Sequence, residues 1–239
     1  MNCDLHDLIK AGKRFHVIYA DPPWHFQSWT NGRWKGDGTV FTPAKAPEYD
    51  TMSVDQIAAM PVVDLAAPDC ALFMWGIWVM LPQALQVVDA WGFKYKTCAF
   101  CWVKADVKQL DLFRVDADGQ LGLGYWVRQN SEFCLLATRG APKRKAADVR
   151  QGIIEPRRQH SRKPDCAYER IERLVDGPYL ELFARNTRPG WTSWGNEVDK
   201  FDPPYDAADD FAKSINVAYE AVRERIANGG PSWIPPQVE

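Results

Sequence analysis

Short apolar runs alternate with helical patterns along most of the chain. Five runs have the length and the bulky apolar residues of buried strands: Phe15–Ala20, Ala71–Trp75, Thr97–Val103, Glu132–Ala137 and Tyr179–Phe183. Three stretches have the apolar spacing of helices: Val54–Met60, Leu81–Trp91 and Asp165–Val175. Ser53 is a favourable N-cap for the first helix, and Gly92 is placed to end the second. This alternation predicts an α/β fold with a mostly parallel sheet and helices on both faces.

Long polar stretches interrupt this pattern at three places. We expect insertions that project from the sheet near residues 27–45, 105–125 and 140–162. The main domain is predicted to cover residues 1–200. Residues 201–239 are predicted to form an extension, with an amphipathic helix at Asp209–Ala227 and a frayed end. We recognise no signal peptide and no apolar stretch of transmembrane length, so we expect a soluble cytoplasmic protein with no membrane partner.

Basic residues are concentrated in one part of the chain. The net charge of −2 produces no global basic field. Between Arg139 and Lys163, however, nine Lys and Arg residues stand against two acidic residues. Such a run is either a solvated loop or a surface that binds phosphates. Four of its members are candidates for contact with a nucleic-acid backbone: Arg144, Lys145, Arg157 and Arg158.

The first predicted strand leads directly into the tetrapeptide Asp21-Pro22-Pro23-Trp24. Ligands of open α/β sheets bind at the carboxyl ends of the strands. The amino group of adenine is a poor nucleophile because its lone pair is delocalised into the ring, so acceptors must hold its two hydrogens before it attacks a methyl sulfonium. The Asp21 carboxylate and the Pro22 carbonyl are suitable acceptors on a stiff turn, and Trp24 is suited to stack on an extruded base. The alternative interpretation is a Pro-rich turn that caps an edge strand.

A second tetrapeptide of the same kind, Asp202-Pro203-Pro204-Tyr205, occurs late in the chain. The residues before it, 196–201, are polar and do not predict a buried strand. We therefore interpret the second copy as a turn and the first copy as the functional one.

Further short motifs follow the first tetrapeptide in a fixed order. They are Tyr49-Asp50-Thr51-Met52, Trp91-Gly92-Phe93, Trp102-Val103-Lys104, Gly122-Leu123-Gly124-Tyr125-Trp126 with Glu132, His160-Ser161-Arg162-Lys163-Pro164-Asp165, Glu181-Leu182-Phe183-Ala184-Arg185, Gly190-Trp191 and Trp194-Gly195-Asn196-Glu197. Through this ordered set, the chain from Phe15 to about Val198 resembles the MT-A family of adenine N6-methyltransferases. That family contains the eukaryotic messenger-RNA methylating enzymes and many bacterial and phage DNA enzymes.

The resemblance implies the Rossmann-like fold of S-adenosylmethionine-dependent methyltransferases in a circularly permuted order, with the catalytic motif before the cofactor-binding strand. It also implies that Asp21, Pro22, Pro23 and Trp24 hold the target adenine. The cofactor implied is S-adenosyl-L-methionine, and no metal is expected. The residues implied to bind the cofactor are Asp4, Leu5, Asp21, Lys163, Arg185, Asn186, Asn196 and Glu197.

Three residues outside the tetrapeptide are further candidates for contact with the substrate, in addition to Trp24. Trp29 belongs to the Gly-rich segment after the tetrapeptide, which is a candidate lid or strand-separating element. Trp102 and Lys104 end a strand that we expect to lie beside the catalytic strand, where both can line a base pocket. A core position is the alternative for Trp102.

Together these features predict an enzyme that methylates N6 of adenine in DNA by direct transfer to a flipped-out base. The basic insertion and the absence of an RNA-binding module favour DNA over RNA, which is the alternative polymer. A catalytically silent subunit that only binds nucleic acid is a second alternative, although such proteins lose the residues that this chain keeps. A small-molecule amine methyltransferase has no use for the basic segment. We expect a bacterial or phage protein that is a monomer or a homodimer, with a second subunit not excluded.

Overall fold

The computed structural model describes residues 4–25, 50–105, 129–156, 162–198 and 200–201. Its helices are α1 (Leu5–Lys10), α2 (Val54–Ala58), α3 (Leu81–Ala90) and α4 (Cys166–Leu174), with short 3-10 turns at Val62–Asp64 and Trp78–Met80. Its strands are β1 (Phe15–Ala20), β2 (Ala66–Gly76), β3 (Lys94–Ala105), β4 (Ser131–Arg139), β5 (Gly152–Pro156), β6 (Tyr179–Leu182) and β7 (Trp191–Trp194).

The strands form one seven-stranded sheet in the order β5-β3-β4-β2-β1-β6-β7. β1 lies between β2 and β6 and is parallel to both. β4 is antiparallel to both of its neighbours, and the remaining pairs, β3 with β5 and β6 with β7, are parallel. The sheet is therefore mostly parallel, with a single reversed strand, which confirms the predicted fold class.

Each face of the sheet packs against its own helices. Alternate residues of β2 divide between two apolar clusters, with Leu72 and Met74 in one and Phe73 and Trp75 in the other. The first cluster contains the buried residues of α1, α2 and α3. The second contains those of α4. The two-residue period of the strand thus places helices on both faces, as predicted.

Local signals in the sequence set the ends of the helices. The Ser53 hydroxyl accepts the Gln56 backbone N–H, and the Gln56 side chain accepts the Ser53 N–H, so the two residues form a capping box for α2. Gly92 has a φ of 78° directly after α3, where a residue with a Cβ would be strained. Both signals confirm the helix bounds expected at these points.

The structure corrects several expectations. Part of the predicted insertion at 140–162 is β5, which is too short and too polar to be recognised without its partner β3. β7, with the sequence Trp-Thr-Ser-Trp, and the six-residue helix α1 were not predicted. β3 is not the neighbour of β1, because β4 and β2 lie between them. That separation overturns the expected placement of Trp102 and Lys104 on a strand adjoining the catalytic one.

Several predicted features lie outside the described residues. They are Trp29, the segment at 27–45, the insertion at 106–125, Arg157, Arg158, the second tetrapeptide and the helix at Asp209–Ala227. Within the part of the chain that the structure describes, no helix is long and apolar enough to cross a bilayer.

Candidate active site

The carboxyl ends of the parallel strands meet at one edge of the sheet. β1, β2, β3 and β6 all end at this edge. Because β4 runs in the opposite direction, it begins here, with Ser131 and Glu132 as its first residues. Asp21 follows β1 at the same edge. Side chains from distant parts of the chain are therefore gathered where ligands of open α/β sheets bind.

Backbone hydrogen bonds fix the loop after β1. The N–H of Met52 donates to the carbonyl of Pro23 over 2.8 Å, and the N–H of His25 donates to the carbonyl of Met52 over 3.1 Å. The N–H of Trp24 donates to the carbonyl of Pro22 over 2.8 Å. A carbonyl oxygen has two lone pairs, so that of Pro22 can still accept a second donor. The segment around Met52, one of the motifs of the resemblance, thus has a structural role in holding the tetrapeptide.

Trp24 is an anchor of this loop. Its indole N–H donates to the carbonyl of Trp75 over 3.2 Å, and the residue is only 5% exposed. The ring packs in the cluster that contains the buried residues of α2 and α3. Stacking of Trp24 on a base therefore stays a prediction, while its role in positioning the loop follows from these contacts.

Four charged side chains form a continuous chain across the edge of the sheet. The Lys163 ammonium lies 2.7 Å from a carboxylate oxygen of Asp21 and 3.3 Å from one of Glu132. The Lys104 ammonium lies 2.5 Å from the other Glu132 oxygen. All four side chains are largely buried: the exposed fraction is 18% for Lys104, 14% for Glu132, 13% for Lys163 and 21% for Asp21. We call Lys104, Glu132, Lys163 and Asp21 the charge chain.

Alternating signs keep Glu132 and Lys163 ionised despite their burial. Burial by itself would raise the pKa of Glu132, but the ammonium groups of Lys163 and Lys104 hold that pKa below its ordinary value. Burial would likewise lower the pKa of Lys163, but the carboxylates of Asp21 and Glu132 raise it above the usual range. Asp21 is thus held in a fixed direction by a permanent cation.

We expect Glu132→Gln to destabilise the protein by about 3 kcal/mol at pH 7, since it removes one member of a buried ion network. The lowered pKa of Glu132 means that its stabilisation is present above the ordinary pKa of a glutamate and is lost as the pH falls through the lower folded value. Urea denaturation at pH 7 and at pH 3 measures the effect, and the difference in stability between the variant and the wild type should be smaller at the lower pH. As a matched control, Asp148→Asn removes an exposed ion pair with Arg173 and should cost less than about 1 kcal/mol. A loss for Glu132→Gln no larger than this control contradicts the prediction.

A pocket opens beside Asp21 on the α4 side of the sheet. Its walls carry both acids and cations. The lining residues are Tyr19, Asp21, Arg162, Lys163, Asp165, Tyr168, Glu181, Phe183, Arg185, Asn186 and Phe201. Four of the residues predicted for the cofactor site, Asp21, Lys163, Arg185 and Asn186, are therefore brought together here.

The remaining predicted cofactor residues are not among those that line this pocket. The Glu197 carboxylate lies 3.5 Å from Nε of Arg185, through which it adjoins the pocket. Asn196 is exposed in the turn after β7. Asp4 caps α1 by accepting the N–H of His6 over 3.2 Å, and Leu5 is buried in the core. A cofactor role for Asp4, Leu5 and Asn196 remains a prediction.

The backbone after β6 shapes one wall of the pocket. Phe183 has a φ of 62°, which is costly for a residue with a side chain and persists only where its surroundings enforce it. Its ring packs edge-to-face on Trp194, with the centroids 5.7 Å apart. A Cβ on Gly195 would lie 2.4 Å from the carbonyl oxygen of Ala184, so only glycine fits there. This turn redirects the chain so that Arg185 lines the pocket.

Glu181 is a buried acid in the pocket that was not among the predicted site residues. It is 6% exposed, and its Oε1 accepts the Tyr168 hydroxyl over 2.7 Å. Burial, reinforced by Asp21, raises the pKa of Glu181 to about 8, against the smaller opposing effect of Tyr168. The sequence signal that could have indicated this residue is a single acid inside the otherwise apolar strand Tyr179–Leu182. Without the structure, that signal does not say to which face the side chain points.

Of the other described candidates for substrate contact, Lys104 lies near the site, whereas Trp102 and Lys145 lie elsewhere. Trp102 is buried in the core with its indole N–H on the carbonyl of Glu155, which favours the core alternative. Lys104 reaches the site through Glu132. Lys145 is exposed and bonds Asp176 beyond the last turn of α4.

The backbone N–H of Lys145 donates to the carbonyl of Leu174 at the end of α4, whereas the pocket is lined by Asp165 and Tyr168 at the start of this helix. Arg144, its exposed neighbour, lies with it. The structure therefore does not bring Arg144 and Lys145 together with the pocket.

Comparison with known proteins agrees with this geometry. The family model described as MT-A70 matches residues 15–197, a span that contains the charge chain and the whole described sheet. The chain is 31% identical over 197 residues to the Type II methyltransferase M.MunI of Mycoplasma sp, and the match covers 78% of both proteins.

Two human proteins are also similar. The N(6)-adenine-specific methyltransferase METTL4 is 31% identical over 82% of this chain, and the N(6)-adenosine-methyltransferase catalytic subunit METTL3 is 29% identical over 82% of it. The matches span only 40% and 30% of these two proteins. The similarity to the human proteins is therefore confined to one part of each of them.

Proposed function

The chain belongs to the MT-A70 family, and we propose that it is an S-adenosylmethionine-dependent enzyme that methylates the N6 amino group of adenine in DNA. One observation carries the proposal: the Asp21 carboxylate, which follows the interior strand β1, is held by Lys163 over 2.7 Å at the wall of a pocket. A carboxylate fixed by a buried cation is a preorganised acceptor for a hydrogen-bond donor whose position matters.

The tetrapeptide supplies two acceptors to the target amino group. The second oxygen of the Asp21 carboxylate and the second lone pair of the Pro22 carbonyl accept its two hydrogens, so that the nitrogen lone pair is localised for attack. Lys163 prevents the carboxylate from rotating away. Because the site lies at a sheet edge behind a fixed loop, a base in a duplex must leave its stack to enter it.

The pocket beside Asp21 fits S-adenosylmethionine. That molecule carries a carboxylate, an ammonium and a sulfonium, and the lining has acids and cations to match them. Oε2 of Glu181 is buried and makes no hydrogen bond within the described residues, so a polar partner is missing at this wall. When bound, the cofactor supplies an electrophilic methyl group. We propose Lys163 and Arg185 as the binding sites of its anionic end, with Asn186 and Glu197 nearby.

The proposal of DNA rests on the similarity to a Type II methyltransferase and on the basic segment of the chain. The similarity covers 78% of the Type II methyltransferase, against 30% of the human relative named for adenosine. The human relative named for adenosine carries much additional length that this chain does not match. Basic residues between 139 and 163 are the proposed contact to phosphates, and Lys104 the proposed contact nearest the base.

An experiment with two polymers tests the proposal. The protein is incubated with methyl-labelled S-adenosylmethionine and either duplex DNA or RNA of mixed sequence, and the digested nucleosides are separated. We expect label in N6-methyldeoxyadenosine from DNA. Label only in RNA overturns the choice of polymer, and label in another base overturns the choice of target atom. Label in neither polymer, with a protein that binds the cofactor by calorimetry, favours the silent nucleic-acid-binding subunit.

A further inference from the structure

A carboxyl group that the methyl-transfer chemistry does not use faces the pocket from β6. Glu181 pairs in register with Tyr19 of β1 and Ser193 of β7, so its side chain lies on the α4 face of the sheet, where the pocket opens. One of its oxygens, Oε1, accepts the Tyr168 hydroxyl. The other, Oε2, is buried and has no partner within the described residues. A buried acceptor of this kind is costly unless a ligand completes it.

The charged groups around Glu181 do not complete it. Asp21 and Asp165 approach from the loop after β1 and the start of α4, and both disfavour a negative charge on Glu181. Arg188, from the loop after β6, favours that charge, but its guanidinium binds the Glu172 carboxylate over 3.0 Å. The other titratable groups of this wall are the hydroxyls of Tyr19 and Tyr168, whose pKa values burial raises well above the usual range. The other cations that line the pocket have carboxylate partners of their own: Lys163 pairs with Asp21, Arg162 with Asp165 and Arg185 with Glu197.

We propose that Glu181 is a charge-sensing residue of the cofactor site: it is protonated in the free protein and gives up its proton to solvent when a cationic centre of the cofactor docks against Oε2. The inference rests on the function proposed above. In this step the O–H bond of the Glu181 carboxyl group breaks and the proton passes to the buffer. The carboxylate that remains pairs with the cation of the ligand. No covalent bond to the ligand is formed.

This arrangement distinguishes the substrate from its product. S-adenosylmethionine has a sulfonium and an ammonium, whereas S-adenosylhomocysteine has only the ammonium and methylthioadenosine has neither. If the sulfonium is the partner of Glu181, methyl transfer removes the charge that holds the carboxylate ionised. Glu181 then takes back a proton, and the product is held less tightly than the substrate.

Calorimetry of the whole protein tests the inference. Binding of the three ligands is measured at pH 7 in buffers of different ionisation enthalpy, which gives the number of protons released. We expect wild-type protein to release about one proton more than Glu181→Gln when S-adenosylmethionine binds, because a group with a pKa of about 8 is mostly protonated at pH 7. We also expect the substitution to weaken this ligand roughly tenfold and methylthioadenosine hardly at all.

The three ligands separate the possible sources of the charge. Extra proton release with S-adenosylmethionine alone assigns the sulfonium, and release with S-adenosylhomocysteine as well assigns the ammonium. Equal release by the wild type and Glu181→Gln overturns the proposal. Failure of the wild type to bind any of the ligands contradicts the proposed function itself.

A second measurement needs no variant. The infrared band of a protonated glutamic acid should be present in the free protein at pH 7 and should disappear on addition of S-adenosylmethionine. Persistence of that band in the bound protein also overturns the proposal.

Discussion

Asp21→Asn is expected to lower kcat/KM for methylation by about a thousandfold or more. The asparagine keeps one acceptor oxygen, but it loses the charge and can turn an NH₂ toward the amino group of the base, where a donor is repelled. Loss of one preorganised partner of a reacting group typically costs about a hundredfold to a thousandfold, and here the change affects both the charge and the direction of the acceptor. Lys163 keeps Glu132 as a partner, at 3.3 Å, so the fold should survive.

The second tetrapeptide offers a matched control for this substitution. Asp202→Asn changes the same residue in nearly the same local sequence, at a position that we interpret as a turn. We expect its activity to stay within about twofold of the wild type, and urea denaturation should show both variants folded. Methyl incorporation at saturating cofactor decides the matter. Comparable activity of the two variants would show that Asp21 is not the acceptor.

The sequence was sufficient to predict those elements that are specified locally. The run Phe15–Ala20 is apolar in nearly every position, and it is β1 with the same bounds. The signals at Ser53 and Gly92 act within one turn of a helix, and both appear as predicted. The position of Asp21 at the end of a buried strand was predictable for the same reason, since it follows from neighbouring residues alone.

The features that could not be predicted from the sequence depend on pairing between distant segments. β5 exists because residues 152–156 pair with the end of β3, about fifty positions earlier. Glu132 reaches the site because β4 runs against its neighbours, and nothing in the apolar pattern of Glu132–Ala137 states that direction. The four residues of the charge chain therefore come from distant segments, and no pattern in the sequence predicted that their side chains would meet.

The same limit explains the mistaken placement of the strand that carries Trp102 and Lys104. Both residues were assigned to a strand beside β1 from their position after an apolar run. The actual order places two strands between β3 and β1, and Lys104 is connected to Asp21 through its ion pair with Glu132 and that of Glu132 with Lys163. Ion pairing, rather than adjacency, is what brings Lys104 to the site.

Removal of Lys163 should have the largest effect on stability. In Lys163→Met, the carboxylates of Asp21 and Glu132 would share a buried site without the cation between them. Breaking a buried ion pair by removing one partner typically costs about 3 to 5 kcal/mol, and we expect a loss in that range at pH 7. Because the carboxylates can be neutralised by protons, the loss should shrink as the pH falls toward 4, whereas a loss caused by poor packing would not change with pH.

A surface lysine with a similar partner provides the control for Lys163→Met. Lys200 lies 2.6 Å from the Glu197 carboxylate, but its side chain is 38% exposed, against 13% for Lys163. Lys200→Met should therefore cost less than about 1 kcal/mol at either pH. Equal losses for the two lysine variants would mean that Lys163 acts through packing rather than through its charge.

A double variant measures the coupling between Lys163 and Asp21. Urea denaturation of Asp21→Asn, Lys163→Met and the variant that carries both substitutions gives the three losses of stability. We expect the double variant to lose less than the two single losses added together, because the methionine side chain then faces no unpaired charge from position 21. Simple additivity would mean that Asp21 is positioned by something other than its ion pair with Lys163.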